Sequence, residues 1–192
     1  MVYPDAVWSL PGNGKILYLT FDDGPIEGVT DKVLEILGRY NAKATFFCLG
    51  KNVVQHSSLF QQIMEKGHSV GNHTYSHHSA WTSGPDDYLK DVAQAAALIP
   101  GNLFRPPYGR LTPFVLPQLK KDFRVVMWDV LSRDYDRSVN PEQVYRNVTQ
   151  YAHDGSIIVF HDSQKAAQNM LPALPRILDF FSDKGYAFNS LQ

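Results

Sequence analysis

Five short segments of this chain carry side chains that move protons or hold cations, and each follows a stretch that reads as a β-strand. Thr20-Phe21-Asp22-Asp23-Gly24-Pro25 delivers two carboxylates, and Asn72-His73-Thr74-Tyr75-Ser76-His77 two imidazoles. Arg105-Pro106-Pro107-Tyr108-Gly109 delivers a guanidinium; Asp129 with Arg133-Asp134, and then His161-Asp162, complete the set. His73 and His77 stand at i and i+4. On a helical turn that spacing puts both imidazoles on one face, within reach of one ion. Alone, such a pair is a weak signal. A third ligand strengthens it, because two histidines and one carboxylate around an open position suit catalytic zinc or a similar divalent ion. Asp22 or Asp23 can supply the carboxylate. Consecutive side chains on an extended segment point opposite ways, so the doublet divides its labour. One acid binds the ion and the other acts as base toward a water. Gly24-Pro25 makes the turn that presents them.

The elements that must position these residues alternate. Apolar runs at 15–21, 44–49, 68–71, 103–105, 124–128 and 156–160 read as strands, with a last edge at 187–190. Segments of helical period lie between them, at 31–40, 58–66, 85–99, 112–121, 141–152 and 173–184. Pro85 suits the start of its helix. Pro117 weakens the helix that contains it. This order argues for about seven parallel strands, as an open doubly wound sheet or a barrel. A complete eight-fold barrel takes about 250 residues, so a barrel made from 192 would be distorted or incomplete. In either architecture the site lies at the carboxyl ends of the strands, where all five reactive segments fall.

Composition narrows the function classes. The length predicts a single domain, residues 1–192, able to bury about 70% of its unfolded surface. Hydrophobic residues at 44% and charged residues at 19% exclude a disordered tail. Eighteen basic against nineteen acidic residues, a net charge of -1, argue against a nucleic-acid partner. One cysteine, Cys48, excludes an internal disulfide framework; it is expected to pack within the second strand. No apolar run reaches the roughly 20 residues of a membrane span, and residues 1–10 show no signal peptide, so localisation stays open.

TFDDGP, HTYSH, RPPYG, a tryptophan-ended strand leading to Arg-Asp-Tyr, and VFHD occur in this order over residues 16–188. The ordered set resembles the polysaccharide deacetylase family with the NodB homology domain, carbohydrate esterase family 4. The resemblance implies a distorted or incomplete (β/α) barrel. It implies that Asp23, His73 and His77 hold the metal, usually Zn2+, with Co2+ or another divalent ion as alternative. It assigns Asp22 as general base, with Arg105 pairing to it and holding its orientation. The backbone N–H of Tyr108 becomes an oxyanion donor. His161 becomes the general acid, and Asp134 favours its charged form. Val159 and Tyr135 match positions that wall the acetyl methyl. Two departures stand out. The fourth motif commonly reads Asp-x-x-Asp-Trp, and here Leu131 replaces the first acid and Tyr135 the tryptophan. The fifth motif usually has leucine where this chain has Val159.

Other residues have competing readings. Trp81 is a candidate for stacking on a sugar ring, whereas Trp128 reads as core. Asp129 could line a groove or cap a turn, and Asp162 is expected to hydrogen-bond a loop. The expected activity is removal of N-acetyl groups from N-acetylglucosamine-containing glycans, peptidoglycan or chitin-type oligomers, by a metal-activated water. The alternatives are hydrolysis of another acyl bond (O-acetyl ester, formamide or small amide) and a catalytically silent glycan-binding module.

Overall fold

The computed structural model of the protein describes residues 3–12 and 14–192. Its first half comprises β1 (Ile16–Asp22), α1 (Thr30–Arg39), β2 (Ala44–Cys48), α2 (Gly50–Gln55), α3 (Ser57–Glu65), β3 (Ser69–Asn72) and α4 (Pro85–Ala96). Then come β4 (Leu103–Phe104), a 3₁₀ turn (Pro107–Gly109), α5 (Leu116–Leu119), β5 (Arg124–Val125) and β6 (Val130–Leu131). The chain ends with α6 (Pro141–Thr149), β7 (Ile157–His161), α7 (Gln164–Ser182) and β8 (Ala187–Phe188).

Every strand pair is parallel, along the order β5-β4-β3-β2-β1-β7-β6, with β8 joined to the start of β1. The sheet curls into an incomplete barrel. Its two end strands, β5 and β6, are neighbours in sequence but not paired. The N-terminal segment is laid between the flanking strands instead: Val7 bridges Val126 and Ser9 bridges Ser156.

Strand alternation separates core from site. Phe21 stacks between Phe46 and Phe160, its register partners on β2 and β7, at centroid distances of 5.1 and 5.6 Å. These rings belong to the cluster that buries α1, α3, α6 and α7. Thr20 and Asp22 alternate onto the opposite, barrel-interior face. Asp22 is the register partner of His161, so the last residues of β1 and β7 stand side by side.

Several elements differ from the sequence expectation. The 112–121 helix shrinks to the single turn of α5, because Pro117 fits only a first turn. The last helix starts at Gln164, not 173, and runs through Pro172 and Pro175. Each proline removes one intrahelical N–H, but a continuous face from Ala166 to Phe181 is buried and outweighs that loss. Strand 124–128 breaks after Val125, and β6 is an additional two-residue strand too short to show a period. Helix α2 is an additional element with no apolar period, since only Gly50 and Val53 of its six residues are buried. At Gly50 a Cβ would stand 2.6 Å from the Tyr75 ring, so glycine lets this turn approach the loop that carries the histidines.

Candidate active site

The structure brings Asp22, Asp23, His73, His77, Tyr108, Tyr135, Val159 and His161 to one cleft of about 440 Å³ at the carboxyl ends of the strands. Arg105 lies directly beneath it, wholly buried. Its Nη1 donates to Asp22 Oδ1 at 2.8 Å and to Thr20 Oγ1 at 2.6 Å. Its Nη2 donates to the Met127 carbonyl at 2.8 Å, and its Cζ lies 4.1 Å from the Phe47 ring centroid. The guanidinium is fixed from several sides, and Asp22 is fixed by it. A buried charge pair requires such saturation, because an unpaired member would bear the full desolvation penalty.

Asp23, His73 and His77 offer three ligand atoms within 4.8 Å of one another. Both imidazole Nε2 atoms face Asp23 Oδ1, at 3.7 Å for His73 and 3.2 Å for His77. That oxygen is buried without a hydrogen-bond partner among the described residues. Burial raises the Asp23 carboxyl, but contact with His77 and the charges of His161 and His73 outweigh it and hold it well below the usual carboxylate range. Burial lowers His73, favouring its neutral form. His73 Nδ1 lies 2.7 Å from the Arg105 carbonyl, which requires the proton there and leaves the Nε2 lone pair for a ligand. An ionised carboxylate and an imidazole of fixed tautomer, sharing an orphaned buried oxygen, fit a divalent cation.

The two histidines are not on a helical turn. They sit in an irregular loop after β3, with Thr74 at φ 68° and His77 at φ 65°. Left-handed backbone at non-glycine residues is strained, and tertiary bonds hold it here. Asn72 Oδ1 accepts the Thr74 N–H, and Asp91 Oδ2 on α4 accepts those of Tyr75 and Ser76. Asp23 and Tyr108 share the strain, at φ 86° and 61°. The Asp23 turn is held by Asn52, whose Nδ2 donates to the Asp23 carbonyl at 2.7 Å, and by Asp162. Asp162 Oδ1 accepts the Gly24 N–H at 2.9 Å, and Oδ2 accepts from the Thr30 hydroxyl at 2.6 Å. Its expected loop-anchoring part is therefore seen. Burial pushes its carboxyl up to about 7.

His161 Nδ1 meets Asp134 Oδ1 at 2.8 Å. Burial lowers the imidazole, but the Asp134 charge and hydrogen bond outweigh it, with Asp22 and Asp23 adding, and the net result is about 9. The Tyr135 ring stands edge-on to His161 at 4.9 Å, and Tyr108 edge-on to His77 at 4.7 Å. Leu131 and Val159 add apolar lining.

Trp81 is exposed, and Trp128 packs against the core with one side while lining the cleft with the other. Trp81 is 60% exposed and lies outside this cleft, lining a shallower one with Tyr3, Leu111 and Leu116. Its indole N–H donates to the Leu111 carbonyl, which holds the ring there. Trp128 lines the active-site cleft, because the strand breaks before it. At Gly109, the last residue of RPPYG, a Cβ would lie 2.8 Å from the Trp128 ring, so glycine permits that approach. Asp129 lies outside the cleft and receives the Ser156 hydroxyl and the Ile157 N–H. Arg110, Ser163 and Lys165 also line the cleft. Sequence reasoning missed them; the available signal was their place within four residues of RPPYG and VFHD.

Comparison with known proteins agrees with this fold. The family described as Polysaccharide deacetylase matches residues 9–123. A peptidoglycan-N-acetylglucosamine deacetylase of Bacillus cereus is 33% identical over 191 residues, spanning 95% of this chain and 89% of that protein. The crystal structure of a peptidoglycan N-acetylglucosamine deacetylase in complex with 4-naphthalen-1-yl-N-oxidanyl-benzamide superposes with a TM-score of 0.92 at 31% identity, covering 97% of this chain and 91% of that one. A family 4 acetyl xylan esterase from Clostridium thermocellum, in complex with a cobalt ion, superposes at 0.84 with 31% identity, covering 92% and 88%. The family-model match ends before Asp134 and His161, yet the fold carries His161 into the cleft that holds Asp22, Asp23 and the two histidines, with Asp134 buried against it. On these grounds the chain belongs to the polysaccharide deacetylase family.

Proposed function

We propose that the protein removes N-acetyl groups from N-acetylglucosamine-containing glycans, with peptidoglycan and chitin-type oligomers as substrates, and that residues 1–192 act as one domain. The observation that carries this reading is the meeting of a ligand triad around an orphaned carboxylate oxygen, a guanidinium-held carboxylate and a carboxylate-held imidazole in one cleft.

Asp23, His73 and His77 would hold a divalent cation, zinc by preference and cobalt as alternative. When bound, that ion supplies Lewis acidity to the acetamide carbonyl and acidifies the attacking water. Asp22, oriented by Arg105, takes the proton from that water. The Tyr108 N–H donates to the oxygen on which charge develops. His161 Nε2 gives its proton to the departing amine nitrogen, and Asp134 holds the ring by Nδ1 so that Nε2 is free to do so. Tyr135, Val159, Leu131 and Trp128 enclose the acetyl methyl. Trp81, outside the cleft, can meet only a more distant sugar.

The test is acetate release by zinc-loaded protein from N-acetylglucosamine oligomers and from peptidoglycan, with Asp22→Asn as control. Release that vanishes in the control supports the reading. With metal bound and the fold intact, silence on both glycans but turnover of acetyl esters or formamides would move the activity to those bonds. Silence on all of them would leave a glycan-binding module.

A further inference from the structure

Two cations stand on the rim of the active-site cleft. Arg110 follows the 3₁₀ turn after β4, and Lys165 lies at the start of α7, just after β7. β4 and β7 fall on opposite sides of β1 in the sheet, so the two side chains flank the Asp22-Asp23 pair from opposite arms. Neither forms an ion pair among the described residues, whereas Arg133, Arg146 and Arg176 each meet a carboxylate. Both are held over aromatic rings instead. Arg110 Cζ lies 4.8 Å from the Trp81 ring centroid, and Lys165 Nζ 5.5 Å from that of Tyr135. Such contacts restrain a long side chain without neutralising it. The cleft's own acids are committed elsewhere: Asp22 to buried Arg105, Asp23 to the two histidines. With a net charge of -1 over the chain, this positive rim is a local feature.

We infer that the site selects a glycan strand bearing carboxylates beside the N-acetyl sugar, and that Arg110 and Lys165 are the residues that read them. The inference deepens the deacetylase reading and rests on it. A neutral sugar polymer offers these cations nothing, whereas a carboxylate can take a forked pair of hydrogen bonds from Arg110 and a point charge from Lys165. The carboxylate can sit on an ether substituent of the neighbouring sugar or on an attached peptide, and the substrates below separate these sources.

The experiment compares kcat/KM for three substrates of equal length on the zinc-loaded protein. One is a neutral N-acetylglucosamine oligomer. The second is a peptide-free strand in which alternate sugars carry a lactyl ether carboxylate. The third is the same strand with its peptides attached. At low salt the carboxylate-bearing strands are expected to exceed the neutral oligomer, and the excess to shrink as ionic strength rises. Arg110→Gln or Lys165→Gln is expected to lower the charged-to-neutral ratio about fivefold each. Lys90→Gln, on an exposed position of α4, is expected to leave that ratio where it was. A preference shared by the peptide-free strand places the carboxylate on the ether; one confined to the third substrate places it on the peptide. Equal kcat/KM on all three, or a ratio unmoved by both rim variants, overturns the inference. Absence of acetate from every substrate removes the deacetylase reading itself, a separate outcome.

Discussion

Asp134 engages His161 with both of its carboxylate oxygens: Oδ1 faces the ring Nδ1 at 2.8 Å, and Oδ2 accepts the backbone N–H of the same residue at 2.7 Å. One wholly buried carboxylate thereby fixes both the backbone and the ring of a single residue. It also favours the imidazolium, and His161 reaches about 9 despite burial. A general acid must be protonated to act, so the wild-type rate should hold up to roughly that pH and fall above it. Asp134→Asn removes the charge that raises the imidazole. The descending limb of the kcat profile should then move to lower pH, toward the ordinary histidine value of about 6.5. A pH–rate comparison of the two proteins checks this; a limb that does not move assigns the acid role to another group.

Asp22 and Asp23 are adjacent, and their substitutions should separate cleanly. Asp22→Asn should retain the metal and lose about 10²–10⁴-fold in rate. Asp23→Ala and His77→Ala should lose the metal on dialysis. Metal content after dialysis, measured beside acetate release, distinguishes the two classes. In the wild type, chelation should abolish turnover and added divalent ion restore it. Stoichiometric metal in dialysed Asp23→Ala would overturn the ligand assignment.

Gly24 has no room for a side chain. An ideal Cβ there would stand 1.9 Å from Asp162 Oδ2, and that carboxylate is buried and tied to Thr30. Gly24→Ala should therefore destabilise the fold by about 1–3 kcal/mol, as overpacking does. Gly38, exposed near the end of α1 with open space around it, is the contrasting site. Gly38→Ala should stabilise by about 0.5–1 kcal/mol, because alanine loses less backbone entropy in a helix. Denaturant midpoints of the two variants should move in opposite directions.

The five reactive segments were legible because each is contiguous. TFDDGP, HTYSH, RPPYG and VFHD are local strings, and the strand before each is an apolar run of recognisable type. Trp128 was not legible, because its place depends on where β5 breaks and on the absence of a Cβ at Gly109. The path from His73 to His77 was not legible for a related reason. Spacing alone suggested a turn, while Asn72 and Asp91 hold that loop in a left-handed path. Asp91 lies 14 residues from His77, on another element, and nothing local announces the bond.

The sequence by itself determined the alternation of strands and helices apart from the short α2 and β6, the side of the sheet on which chemistry gathers, and the residue types available there. Those follow from period, turn chemistry and composition, which are properties of neighbouring residues. Tertiary structure alone decided that Asp22 and His161 are register partners, that Arg105 sits under Asp22, and that Trp81 stands outside the cleft while Arg110 and Lys165 flank it. Each of these depends on strands distant in sequence becoming adjacent in the sheet. That adjacency is set by which faces can be buried together, and no local pattern encodes it.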